Sequence, residues 1–262
     1  MTANIRFLSA FQKIERAKRH IAEINGVFQQ YLKSDFAGPV IEDNLLGSLR
    51  LVVKTKIPLP PALSLALGDA VHTLSSSLDH VMHQLVPMKT FPTHEGRDSL
   101  IESFKAADPN TGKGAGGNHS IVKAYPDLHG LIVDEIRPYD TGDGVNHRGR
   151  AVWALRKLDN IDKHRSIIPV LNVSEVRNFS AMDDVENRML AQITVQFQEG
   201  MAVGLSKVGR GMVITDNGNP AADIRFPEGT YFTDQPIIPT LVKLADYTTS
   251  VVQAFETHFK GR

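Results

Sequence analysis

The sequence predicts an α+β protein: an N-terminal helical bundle, an antiparallel β-rich C-terminal portion, and a C-terminal helix that packs back. Three observations carry this. Apolar residues recur at intervals of three and four over 5–32, 61–86 and about 149–166. After Arg165 the chain turns into short segments rich in β-branched residues and separated by turn signals. From Pro239 to Lys260 helical spacing returns. Helices followed by strands, rather than alternating with them, argue against a parallel α/β sheet.

The first helix is read over Ile5 to Leu32, with apolar positions 5, 8, 11, 14, 17, 21, 24, 28 and 31–32 and an exposed face carrying Lys13, Glu15, Arg16, Lys18 and Arg19. LRLVVKTK at 49–56 reads as a short strand stopped by the prolines of IPLPP, and Pro60 and Pro61 suit the start of the next helix. That helix, about 61–86, sets Leu67, Val71, Leu74, Leu78, Val81 and Leu85 in one narrow sector. Glycine, proline and asparagine crowd residues 87–149, a long loop region with short helices near 98–107 and 120–134 and a flexible stretch at Gly112–Gly117. The next helix takes its apolar face from Val152, Leu155, Leu158 and Ile161. SIIPVLNV, MLAQITVQF, MAVGLSKV, GMVITDNG and ADIRF then predict four or five antiparallel strands. The last helix lines up Leu241, Leu244, Thr248, Val251, Val252, Phe255 and Phe259. The expected organisation is a bundle over 1–165 and strands plus the last helix over 166–262, as one continuous unit.

Composition narrows the function classes. The 262 residues are 42% hydrophobic, enough for a sizeable core, and 29 acidic residues balance 29 basic ones. No global field therefore draws the chain to nucleic acid or to an anionic membrane, so such binding needs a local patch. With no cysteine there is no disulfide, thiolate metal site or cysteine nucleophile. No continuous apolar run suggests a membrane span, and a soluble cytoplasmic protein is expected.

The helix at 61–86 carries the unusual feature. Opposite its apolar stripe stand Asp69, His72, Ser76, Asp79 and His83, with His80 at the edge and no Lys, Arg or Glu from Pro61 to Leu85. A solvated face normally uses long charged side chains. Their absence suggests that protein covers this face and that its polar groups are partnered, because an unsatisfied one costs about 1–3 kcal/mol. The natural partner is DNIDKHR, which holds Asn160, Asp162, Lys163, His164 and Arg165. Arg165 or Lys163 beside Asp79 or Asp69 would compensate charge, and Asn160 and His164 share a helix face. Such a network is either a structural device that fixes helix packing or a catalytic or binding site. A metal held by Asp79 and His83, or by His80 and His83, with Asp162 or His164 is opposed by the neighbouring Lys163 and Arg165, and no HExxH is present, so no metal or other cofactor is expected. GKGAGGNHS lacks the order of a phosphate loop, and Ser75, Ser76 and Ser77 lack a nucleophile elbow.

GDAVHTLSSSLDH at 68–80 and LDNIDKHR at 158–165 resemble a family of uncharacterised bacterial proteins with the pattern G-D-A-x-H-N-L-R-S-x-L-D-H followed by N-x-x-K-H-R. RAKRHIAEI and the pair Phe91–Pro92 resemble it too. The Arg-x4-His spacing of that pattern is in turn similar to the signature of HEPN domains. This resemblance implies a helical bundle of a defence or toxin system, usually dimeric and acting on RNA as a metal-independent ribonuclease. It assigns His80 the proton-moving role, with Asp79, Lys163, His164 and Arg165 in the catalytic group and Asn160, His72, Asp69, Ser76 and His83 in binding RNA or a nucleotide. The position of the phosphate-clamping arginine holds Ser75. Either Lys163 or Arg165 supplies that cation, or the protein is a non-catalytic interaction scaffold, possible as a homodimer.

Overall fold

A computed structural model describes residues 7–43, 49–111, 114, 116–142, 147–196, 203–204 and 211–260. The expected helix start at Ile5, Gly112, Lys113 and Ala115 of the glycine-rich stretch, and all of MAVGLSKV except Val203–Gly204 lie outside them. The protein is α+β and forms two compact units. One comprises residues 1–24, 64–168 and 226–262; the other comprises 25–63 and 169–225. This is not a cut near residue 165: the last helix belongs with the bundle, and residues 25–63 belong with the strands.

The helical unit takes most of α1 (Leu8–Leu32) and α2 (Pro61–Leu85), then α3 (Arg97–Ser103), α4 (His119–Ala124), α5 (Leu128–Gly130, continuing as a π-helical turn Leu131–Ile136), α6 (Arg148–His164) and α7 (Ile237–Phe259). All six apolar positions of the α2 stripe are buried, and so are all seven of the α7 face. A buried side chain of this size contributes about 1.5–3 kcal/mol, so the two stripes supply a large part of the core of this unit, together with buried residues of α1 and α6 such as Ile14, Trp153 and Leu155. Phe255 sits at its centre, edge-on to Phe7 at 6.3 Å and to Phe91 at 6.1 Å. At the start of α1 the buried residues are Phe7 and Ala10 rather than Leu8, which is half exposed. The stretch expected as one helix near 120–134 is broken into α4, α5 and the π turn, which ends at Arg137 in the left-handed conformation. No helix among the described residues is long and apolar enough to cross a membrane.

Gly149, in the first turn of α6, fixes where that helix begins. A Cβ there would be driven into the backbone carbonyls of Ile136 and Arg137, atoms that no rotamer change can move. The Gly149 N–H also donates to His147 Nδ1 at 3.1 Å, capping the helix. Gly149→Ala is therefore expected to destabilise the protein by about 2–3 kcal/mol, the cost of overpacking against fixed backbone, read as a lower urea midpoint.

The strand unit holds β1 (Ala37–Asp43), β2 (Leu49–Thr55), β3 (Val170–Asp183), β4 (Arg188–Gln196), β5 (Val203–Gly204), β6 (Met212–Asp216) and β7 (Asn219–Arg225). β1, β2 and β5 form one antiparallel sheet, so LRLVVKTK has partners on both sides. In the second, β3 is central: β4 lies along one side, while β6 and β7 share the other, all antiparallel. Leu51, Val176 and Phe179 form the buried centre of this unit, flanked by Ile41, Val53, Val173, Ile193, Val195 and Ile214.

Candidate functional site

The polar face of α2 meets α6 through Asp159, the first residue of DNIDKHR and the partner of Lys163 in the same stretch, and through Arg156, which lies one turn before it. Arg156 donates from Nη1 to Asp79 Oδ2 at 2.8 Å and from Nη2 to Asp79 Oδ1 at 2.9 Å, a two-pronged ion pair. Its Nη1 also donates to Ser75 Oγ at 2.9 Å. Ser75, fully buried, passes the chain on by donating to Asp159 Oδ2 at 2.7 Å. Asp159 is buried too, and it receives Lys163 Nζ at 2.9 Å and His72 Nδ1 at 3.0 Å. The Phe91 N–H completes Asp79 at 2.8 Å and ties the Phe-Pro segment to the network.

Helix geometry explains the set. Ser75 and Asp79 are four apart on α2, while Arg156, Asp159 and Lys163 follow one another at three and four on α6, so each group lies along a single face. Charges alternate across the contact. Burial pushes the Asp159 carboxyl upward, but hydrogen bonds from Lys163, Ser75 and His72 outweigh it and hold the group below the usual carboxylate range. Asp162 goes the other way: burial raises it, and the nearby Asp159 and Asp69 charges add to the rise. Gly68 makes room for it, since a Cβ there would lie 2.5 Å from Asp162 Oδ2.

The expected site residues separate into three groups. His72, Asp79 and Lys163 are in the network, although Lys163 pairs with Asp159 and not with an α2 carboxylate. Ser76, Asp79, His80 and His83 line a groove of about 540 Å³ with Ser9, Gln84, Met88, Lys89 and Thr90. Asp69, Asn160, His164 and Arg165 are exposed, and among the described residues none of the last three bonds to α2. The guanidinium beside Asp79 is thus that of Arg156, not Arg165. Sequence reasoning missed Arg156 and did not single out Asp159, the first residue of DNIDKHR; their alternating spacing with Lys163 is the signal that would have found them. No group of three or more His, Asp or Glu able to hold a metal is present among the described residues.

Two features of the groove matter chemically. Partial burial, followed by the Lys13 charge, pulls His80 below the ordinary imidazole range, against the smaller opposite effect of Asp79. His80 is therefore neutral near pH 7 and able to accept a proton. His83 Nδ1 accepts the Met88 N–H at 3.2 Å, so neutral His83 carries its own proton on Nε2. Because the folded pKa of His80 lies below the unfolded value of about 6.5, the unfolded chain binds more protons just below that pH. Stability is expected to fall as pH drops from 7 through this window, with a shallower fall in His80→Gln, as read from urea midpoints at several pH values. His94, lowered mainly by burial, adds to the same trend.

No protein-family model, curated protein or solved structure matches the chain. The chemistry of the site therefore stands on its own geometry.

Proposed function

We propose that this chain is a HEPN-like protein that binds RNA or a nucleotide in the α2 groove and uses His80 to move a proton without a metal. The observation that carries this reading is the open groove that His80 lines together with Ser76, Asp79 and His83, where partial burial and the Lys13 charge pull its imidazole below the ordinary range. A neutral imidazole at His80 can take the proton of a ribose 2′-hydroxyl as its oxygen attacks phosphorus, and the imidazolium so formed can give that proton to the departing 5′-oxygen as the P–O bond breaks. Lys13, close enough to act on His80, offers the positive charge that Ser75 does not.

A second reading is favoured by a separate observation. Arg156, Ser75, Asp79 and Asp159 satisfy one another within the protein, as expected of a device that fixes how α2 packs on α6 in a non-catalytic scaffold.

The test is one comparison of wild type, His80→Ala and His164→Ala, measuring urea stability, binding of fluorescent RNA and its cleavage, each with and without EDTA. The expected result is wild-type cleavage indifferent to EDTA. His80→Ala should keep its fold and lose cleavage by at least about 100-fold, while the exposed His164→Ala is unaffected. Absence of binding and cleavage in every version would leave the scaffold reading standing.

A further inference from the structure

Resting on the reading above, we infer that the ligand is a single-stranded RNA longer than one nucleotide, and that α1 carries an auxiliary phosphate-binding track built from Lys13, Arg16, Arg19 and His20. The first observation is local charge. The chain has no net charge, yet residues 13–20 contain four Lys or Arg, one His and a single acid, Glu15, which is paired with Lys18 at 2.8 Å. Among the described residues, Lys13, Arg16 and Arg19 have no carboxylate partner, so their charge is available to a ligand.

The second observation is direction. Ser9, Lys13, Arg16 and His20 follow one another at four, three and four residues, which puts them on one face of α1. That face borders the groove: Gln84 Nε2 donates to Ser9 Oγ at 3.2 Å, and the Lys13 charge is felt at His80. One turn further on, Arg16, Arg19, His20 and Glu23 line a second cleft of about 350 Å³. The groove and this cleft therefore succeed one another along the helix, and Ser9 to His20 spans about 16 Å at 1.5 Å per residue. A mononucleotide in the groove cannot also reach the cleft, whereas a polynucleotide can place one phosphate at His80 and others along α1. Among the described residues that line the cleft, Glu23, 3.5 Å from His20, is the one carboxylate, and it leaves the two guanidiniums as the stronger ligands.

The experiment uses the full chain with two probes, fluorescein-labelled 20-nucleotide oligouridylate and uridine 5′-monophosphate, over a salt series. Arg16→Ala/Arg19→Ala is compared with Arg97→Ala/Lys260→Ala, which removes two exposed cations that are held in ion pairs and belong to neither the track nor the groove. The expected result is that the 20-mer binds wild type more tightly than the mononucleotide. The track variant should weaken the 20-mer about tenfold at low salt and flatten its log–log salt slope by about 1.4, at about 0.7 for each phosphate that the variant no longer neutralises, with mononucleotide binding unchanged. The control pair should leave both probes as they were. If wild type binds both probes but the track variant keeps the wild-type slope, the track is overturned and the groove reading survives. Equal affinity for the two probes also overturns the track. If wild type binds neither probe, both readings fall. Binding of phosphatidylserine vesicles in place of the 20-mer overturns the RNA assignment.

Discussion

Ser75→Arg, which installs the residue that the resembling pattern carries, is expected to cost more than about 3 kcal/mol and to yield little folded protein. Ser75 has no accessible surface, and its hydroxyl is wedged between Arg156 Nη1 at 2.9 Å and Asp159 Oδ2 at 2.7 Å. An arginine there adds a large side chain to a closed contact, places a second guanidinium against the first, and removes the hydroxyl link between the helices. The arrangement also predicts a rescue. Asp79 lies four residues after Ser75 on the same face of α2, so a guanidinium from position 75 can reach it if Arg156 is absent. Ser75→Arg combined with Arg156→Ser is thus expected to recover at least half of the loss, giving a coupling of about 2 kcal/mol in a double-mutant cycle by urea denaturation. A stable single variant, or a double variant no better than the sum of its parts, would contradict the Ser75–Arg156 packing.

That exchange of roles between positions 75 and 156 shows what was legible in the sequence. The resembling pattern points to position 75, where this chain has Ser, and says nothing of Arg156, which α6 brings to Asp79. Charge density pointed to DNIDKHR, but helix contacts are selected by face. Asn160 and His164 do share a face, and it is the solvent one. Arg156, Asp159 and Lys163 share the face that meets α2, and Arg156 lies outside the charge-dense stretch. The stripes of α2 and α7 were fully readable, because an apolar period of 3.6 has one physical outcome in a bundle. β3 was readable only to Val173. Beyond it, SEVRNFSAMD is polar, its register shifts at Val176, Phe179 and Ala181, and Asn178 takes a left-handed backbone. These irregularities destroy the alternation of two by which a strand is recognised. β1, with its Gly38 and Pro39, was missed for a related reason: its side chains speak against a strand, and its pairing with β2 decides for one.

Asp159→Ala is expected to cost about 3 kcal/mol at pH 7. Its carboxylate is buried while receiving three donors from two helices, so truncation strands the Ser75 hydroxyl, frees His72 and leaves Lys163 without a partner. Lys163 and His72 are more than half exposed and can turn to water, which is why the cost stays at the lower end for a buried pair. The pH dependence follows with a definite sign. The folded pKa of Asp159 lies below its unfolded value of about 3.9, so its contribution is present above that value and disappears as pH falls through the folded one. Wild type and Asp159→Ala should therefore differ most at neutral pH and converge as pH falls below the unfolded value of about 3.9. The His80 effect acts in a different window, below about pH 6.5, and must survive in Asp159→Ala if the groove and the network are separate. Urea midpoints for wild type, Asp159→Ala and His80→Gln from pH 2.5 to 8 resolve the two. A constant gap between wild type and Asp159→Ala across that range would show that the carboxylate acts through packing and not through its charge.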